Sequence, residues 1–445
     1  MKTVCHTQLD FGSLFKKQIT ADFEGGQISS DGGACLIREV DEKYSVTQQA
    51  AESLSDKRDV RRTSHAEETL LRQRIYAIAL GYEDANDADM LRRDPMLKTA
   101  AGALPQGSGD LASQPTLCRF ENRADSKDIR RLSESVMDLY IKTHPKKNRG
   151  LVVIDIDSTD DPTHGQQQFS FFHGYYGTHM YHPLLVFDGM DGFPMAAILR
   201  PGNKHASHRA VAVLKRIVKR IKKAYPKADI LLRADAGFAV PALYRFCEKE
   251  KIYYTIGLIT NARLRDKAAD LLSLAEKQFH QAREKQRLFT SFNYRADSWN
   301  RYRRVIAKVE WLDKGPNQRF VVTNLHLKPQ SLYDDIYVLR GDVENRIKEL
   351  KLEIHADRLS CHRFMANQFR LLLHTIAYCL FLLLRKHLEG TELKNAQVGT
   401  IRLKLLKIGA RVRETSRRVW VHLATGYPYK DLLSQILLNI RNAET

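Results

Sequence analysis

Residues 151–159 read LVVIDIDST and place two acids, Asp155 and Asp157, inside a run that is otherwise β-branched and apolar. A run of this kind forms a buried strand. A carboxylate within it is costly to desolvate unless it is paired or binds a cation. Strand side chains alternate between faces, so Asp155 and Asp157 share one face and can line the same site.

The stretches that follow continue the pattern. HPLLVFDGMDGFPMAAILRPG (182–202) reads as two apolar strands around the turn DGMDG. A basic helix from about Ser207 to Tyr225 leads to the strand ADILLRADAGF (228–238), then to the helix VPALYRFCEKE (240–250) and the strand IYYTIGLI (252–259). Three adjacent strands, a helix, a strand, a helix and a strand is the order of a ribonuclease H-like core. Asp235 closes the fourth strand just ahead of Gly237, which can take the turn conformation there. Turns often carry an Asp at a strand end, so this acid by itself does not separate function from structure.

The expected fold class is therefore α/β, a ribonuclease H-like catalytic core interrupted by a β-rich insertion, with helical N- and C-terminal regions. The expected divisions are a helical DNA-binding region over 1–148, the first part of the core over 149–258, the insertion over 259–333, a core helix over 334–360, and a helical basic region over 361–445. In the first region SHAEETLLRQRIYAIALGYED (64–84) is the clearest amphipathic run, and GALPQGSGDLASQP (102–115) breaks it. Arg119, Arg123, Arg130 and Arg131 follow on a second small helical unit, either a DNA reader or a plain bundle. In the insertion, the charged helix RDKAADLLSLAEKQFHQAREKQR (265–287) precedes strand-like RYRRVIAKVEWL and RFVVTNL, joined by the turn DKGPNQ. The pattern change at KKNRG (146–150) sets the first boundary.

Across its 445 residues the chain carries a formal charge of +19, and 43% of it is hydrophobic. That suffices for a sizeable core and points to a polyanionic partner, nucleic acid most commonly, with an anionic membrane surface as the rival. Residues 401–445 alone hold nine Lys/Arg against three acids. The N-terminus has no apolar run of signal-peptide type, so a cytosolic protein is expected. LLLHTIAYCLFLLL (371–384) is shorter than the roughly 20 residues that span a bilayer and contains His374, which favours a buried core helix. The cysteines, Cys5, Cys35, Cys118, Cys247, Cys361 and Cys379, form no C-x-x-C pair. Reduced thiols and no zinc ribbon are expected, and the pairs His179/His182 and His205/His208 have no third ligand beside them.

Residues 337–351, YVLRGDVENRIKELK, hold Tyr337, Arg340, Glu344 and Lys351 at helical spacings. At about 100° per residue, setting Tyr337 at zero puts the other three near 300°, 340° and 320°, within an arc of about 60°. Val343, Ile347, Leu350 and Ile354 form an adjacent apolar stripe that would face the core. The polar row is about 21 Å long, a length that suits a phosphodiester backbone better than one small-molecule pocket. An ordinary i, i+4 pair of Arg340 and Glu344 on a surface helix fits the same spacing.

The spacing Y-x2-R-x3-E-x6-K, met in full here, resembles the signature of the bacterial insertion-sequence DDE transposases of the insertion sequence 4 superfamily. VVIDIDST, YYGTHMYHPLLVFDG, LLRADAGF and NQFRLLLHTIAY look most like its insertion sequence 1380 branch. The resemblance covers nearly the whole chain and implies a cut-and-paste transposase that binds the inverted-repeat ends of its element, cleaves there, and joins the 3' ends to target DNA. It implies Asp157 as the first catalytic acid, through its D-x-T context with Thr159, with Asp155 as the competitor on the same face. Asp235 and Glu344 are implied as the second and third acids. Three carboxylates of this kind can hold Mg2+, two ions in the usual arrangement, and Mn2+ can substitute.

By the same resemblance Arg340 and Lys351 would clamp phosphates, Tyr337 would contact a phosphate or base, and Trp299 would stack on a flipped base, unless Trp299 is simply a core residue. The aromatic-rich FSFFHGYYGTHMYH (169–182) beside Asp157 reads either as a stacking surface or as core. Double-stranded DNA, both element ends and target, is the implied partner of a homodimer, nucleoid-associated and without a membrane. A retired transposase acting only as a DNA-binding protein, and a stand-alone ribonuclease H-like nuclease, are the competing readings.

Overall fold

The computed structural model describes residues 8–144 and 149–443. Cys5 and most of the KKNRG boundary lie outside them. The other five cysteines form no disulfide among the described residues. The chain divides into two compact units, one made of Met1–Glu52, Asp56–Phe120 and Leu380–Thr445, the other of Ser53–Ser55 and Glu121–Cys379.

The larger unit is built on an eight-stranded sheet. Its strands are β1 (Leu151–Ser158), β2 (Leu184–Asp188), β3 (Pro194–Ile198), β4 (Asp229–Ala234), β5 (Tyr253–Leu258), β6 (Gln286–Tyr294), β7 (Arg303–Leu312) and β8 (Gly315–Thr323). Their order across the sheet is β6-β7-β8-β5-β4-β1-β2-β3. β1, β4 and β5 run parallel, while every other neighbouring pair is antiparallel. The parallel strands are joined through helices α1 (Ala210–Ala224) and α2 (Pro241–Lys249), as crossover connections require. β1 is buried on both faces from Val152 to Asp157, which explains why it reads as a continuous apolar run rather than an alternating one.

The elements expected between residues 150 and 258 are present in the expected order. Two readings need correction. The charged helix of the 259–333 segment ends at Ala282, where Arg283 enters the left-handed region, and Gln286–Tyr294 is a strand rather than its continuation. The β-rich strands β6 to β8 lengthen the central sheet, since β8 pairs with β5. The regions expected to be helical over 1–148 and 361–445 also contain strands, at Leu9–Leu14, Lys17–Ala21, Ala410–Glu414 and Val419–Leu423, and contribute to a common unit. ARVRE alternates apolar and polar with period two and VWVHL is rich in β-branched and aromatic residues, strand signals that the basic composition masked. The helix Ser126–Thr143 belongs to the larger unit instead.

The helix Phe364–Lys386 is long and apolar enough to cross a membrane, yet its most apolar window is wholly buried inside the protein. This is the core-helix reading of LLLHTIAYCLFLLL. Beside β1, a three-stranded sheet of Asp161–Pro162, Thr178–Tyr181 and Phe171–His173 forms a short hairpin with its loop at residues 174–177. Gly202 packs under it so closely that an added Cβ would lie 1.9 Å from the Met180 carbonyl and 2.5 Å from that of Phe171. Both obstacles are backbone, so Gly202→Ala is expected to destabilise the protein by about 1–3 kcal/mol, measured as a lower urea midpoint.

Candidate active site

The site begins with register. Ile156 of β1 lies opposite Ala234 of β4, so the next residues, Asp157 and Asp235, emerge side by side at the carboxyl ends of two parallel strands. Asp157 is nearly buried, and its Oδ1 accepts a hydrogen bond from its neighbour Ser158 N at 2.7 Å. Asp235 caps the tight turn Ala236–Phe238, its Oδ1 accepting from Gly237 N at 3.0 Å. Gly237 thus supplies a turn donor.

Asp155 shares the face but not the fate of Asp157. Arg233, directly across from it on β4, donates two hydrogen bonds to its carboxylate, at 2.7 and 2.6 Å, and both side chains are buried. The same guanidinium donates to the carbonyls of Gly189 and Ile336. Asp155 is thereby occupied in a closed, buried, bidentate pair. Asp157 is outside that pair and meets Ser158 N and Arg340 instead.

The third component is the signature segment, which is not one regular α-helix. Wide π-type turns at Leu332–Tyr337 pass into a tight turn at Val338–Arg340, α-helix at Gly341–Lys348, and π-type turns again at Glu349–Glu353. The uniform projection at 100° per residue therefore holds only in the middle. Val343, Ile347, Leu350 and Ile354 are nevertheless buried as the apolar stripe requires. Interruptions of this kind often mark functional sites.

The irregularity distributes the four signature side chains over the strand ends. Tyr337 turns inward against the cluster of Ile306, Val321, Leu332 and Tyr333, with its ring 5.4 Å from that of Tyr333. Its hydroxyl occupies the space that a Cβ on Gly257 would need, at 2.6 Å. Arg340 donates to Asp157 Oδ2 at 3.3 Å and to Glu344 Oε1 at 2.9 Å. Glu344 itself is 55% exposed. Lys351 donates to Asp160, at Oδ1 (2.9 Å) and the carbonyl (2.8 Å), and to Thr159 Oγ1 at 3.4 Å. Burial raises the Asp160 carboxyl, but Lys351 outweighs it and holds that carboxyl below its ordinary value.

Trp299 requires a correction. It is 6% exposed and packs edge-on against Tyr244 (5.1 Å) and Tyr294 (5.5 Å), with the Arg303 guanidinium 5.3 Å from its ring. The loop between β6 and β7 folds back onto α2 and gives the indole an aromatic pocket. The core alternative is the one realised, and no ring face is left for a base.

Electrostatics single out Asp157. Its carboxyl is pushed up to about 7, first by burial and then by the adjacent charge of Asp235, with Glu344 adding to it, while Ser158 N–H and Arg340 pull the other way. Asp235 is also raised, chiefly by burial. Clustered carboxylates that resist ionisation are what a divalent cation relieves, and three oxygen donors suit a hard cation. The donor set therefore fits the expected metal. A group with closer spacing, His144, Asp188 and Asp191, has ligand atoms within 4.8 Å of one another. It was not foreseen, because His144 lies 44 and 47 residues before Asp188 and Asp191 in sequence. Asp188 there already accepts from Tyr140 Oη and pairs with Arg149, which leaves it a structural network as much as an ion site.

Sequence reasoning also missed Arg233 and Asp160. An arginine amid the apolar run ILLRA was the available signal, since a buried guanidinium demands an acid.

In this mixed sheet two adjacent parallel strands end in carboxylates, and the signature segment brings Arg340 and Glu344 towards them. The family described as transposase DDE domain group 1 matches residues 11–445, and the chain belongs to it. No curated protein matches the chain.

Two outcomes follow from the electrostatics. Because the folded-state pKa of Asp157 stands above its ordinary value, the native protein binds more protons than the unfolded chain between about pH 4 and 7, and ionising Asp157 costs stability as pH rises through that window. Asp157→Asn should therefore melt a few degrees above the wild type at pH 8, a gap that closes towards pH 5 in thermal scans. Arg233→Met, which strands a buried carboxylate, should cost about 3–5 kcal/mol in denaturant titrations.

Proposed function

We propose that this chain is a cut-and-paste transposase of the insertion sequence 4 superfamily, nearest its insertion sequence 1380 branch, with a ribonuclease H-like core extended by the strands β6 to β8. The observation that carries the reading is the convergence of Asp157, Asp235 and Glu344, with Arg340 bridging the first and third. The sheet order β3-β2-β1-β4-β5, with β1 and β4 supplying the acids, supports the core assignment.

Asp157, Asp235 and Glu344 would hold Mg2+, or Mn2+ in its place. When bound, the metal supplies charge neutralisation at the phosphate and activation of the attacking oxygen. The chain's own groups do the positioning. Arg340 is fixed by Asp157 and Glu344 with its guanidinium at the acidic centre, and it can present remaining N–H groups to a phosphate oxygen. Lys351, one helical stretch further on, offers a point charge to an adjacent phosphate once it leaves Asp160. Tyr337 props the segment against Gly257 rather than projecting freely, so a role in DNA contact would use its hydroxyl alone. No protein nucleophile is required, since positioning and electrostatics carry most of a phosphoryl transfer.

The substrate is duplex DNA at the element's inverted-repeat ends, cut there and joined through its 3' ends to target DNA by a homodimer. The excess of positive charge supports a DNA partner. On this reading Glu344→Gln abolishes metal-dependent nicking of an end-containing duplex while end binding, followed by gel shift, changes less than about three-fold. Nicking that persists in this variant would sink the assignment. Mg2+ should also raise the melting temperature of the wild type but not of Asp157→Asn, a readout independent of cleavage.

A further inference from the structure

The aromatic hairpin beside the acids carries a surface that the site so far described does not use. Phe171–His173 and Thr178–Tyr181 pair antiparallel, and the loop between them holds Tyr175 and Tyr176 between two glycines. Neither Gly174 nor Gly177 has any atom within 4 Å of where a Cβ would lie, so the loop stands in open space. Tyr175 is 86% exposed, and Phe172 is 56% exposed. An aromatic cluster left in water this way marks an interaction site rather than a core.

Its position says what it meets. The hairpin is anchored on β1's own continuation, because Asp161 and Pro162 pair with Tyr181 and Met180 only a few residues after Asp157. Tyr176 is half-buried against His173 (5.1 Å) and His182 (5.9 Å), and Tyr175 meets its ring at 5.0 Å, almost perpendicular. The Tyr176 hydroxyl is pushed up to about 12, by burial first and then by Asp160, Asp157 and Asp235, which places it within the field of the acidic centre. His173 Nδ1 is shielded from solvent and makes no hydrogen bond. An exposed tyrosine ring set at right angles to its neighbour, beside the proposed phosphate site, offers a flat face to a heteroaromatic ring.

We propose that Tyr175 and Tyr176 form a stacking platform for unpaired nucleobases of the strand whose phosphate lies at Asp157 and Asp235. This rests on the phosphodiester reading of the acidic site. It also assigns to the hairpin the base contact that Trp299, enclosed by Tyr244 and Tyr294, does not make. Rigid aromatic faces bind any base without regard to sequence, so the platform serves strand opening at the cut rather than end recognition. Tyr176 is the fixed floor, and Tyr175 closes over the base from solvent.

The test uses full-length protein in EDTA, so that no cleavage intervenes, and short oligothymidine carrying 5-iodouracil. Irradiation should cross-link the oligonucleotide to Tyr175 or Tyr176, mapped by mass spectrometry. The double substitution Tyr175→Ala/Tyr176→Ala should weaken oligothymidine binding roughly ten-fold in fluorescence anisotropy, and affect a duplex of equal length less than about two-fold. Tyr176→Phe keeps the ring and should bind as the wild type, with an unchanged melting curve. Cross-links confined to other residues, or an unchanged affinity in the double variant, overturn the platform. Because the measurement contains no cleavage step, such a failure leaves metal-dependent nicking to stand on its own. Conversely, tyrosine-dependent binding without any nicking in Mg2+ would retain the platform and discard the transposase reading.

Discussion

The arrangement turns on one electrostatic conflict: Asp157 and Asp235 are set side by side at the ends of neighbouring parallel strands, where burial and mutual repulsion both oppose their ionisation. Nothing in a sheet would choose that pairing for stability. The surrounding structure contains it. Arg340 brings a cation to Asp157 from the facing segment, and the turn N–H of Gly237 steadies Asp235. Burial and the neighbouring carboxylates still leave the Asp157 carboxyl above its ordinary value.

A second arginine keeps this conflict from spreading. Arg233 pairs with Asp155 through two hydrogen bonds and, through the Ile336 carbonyl, ties β4 to the start of the signature segment. The two guanidiniums thus play opposite parts. One closes a buried pair that fixes the scaffold, and the other stays at the mouth of the site with an exposed Glu344 as its second partner. The π-type turns let the segment make both connections, since they rotate Tyr337 and Lys351 away from where a regular helix would carry them.

The aromatic stretches around Trp299 and at 169–182 each read as stacking surface or as core, and the two differ in the fold. Trp299 is enclosed where its loop folds back. The hairpin at 169–182 looked equally fit for a core, and several of its rings stand in water. Local composition does not report burial in loops, because the partner surfaces come from residues distant in sequence: Tyr244 of α2 for Trp299, and Phe364 for Phe169 and Tyr181 while Tyr175 is left exposed.

What the chain's sequence determined unaided was periodicity and chemistry: apolar runs that must be strands, amphipathic runs that must be helices, acids at the ends of two of those strands, and a signature spacing on a third element. These follow from short-range geometry, so the elements from 150 to 258 and the apolar stripe of Val343, Ile347, Leu350 and Ile354 were legible. Only the tertiary structure decided which of Asp155 and Asp157 is taken up in a buried pair, because both have the same strand parity and the difference is made by Arg233 across the register. It decided, likewise, that β6 to β8 join the central sheet and that the terminal regions contribute to one unit, since strand partners and unit membership are contacts between residues far apart along the chain. Long-range pairing, not local propensity, turned a row of suggestive residues into a site.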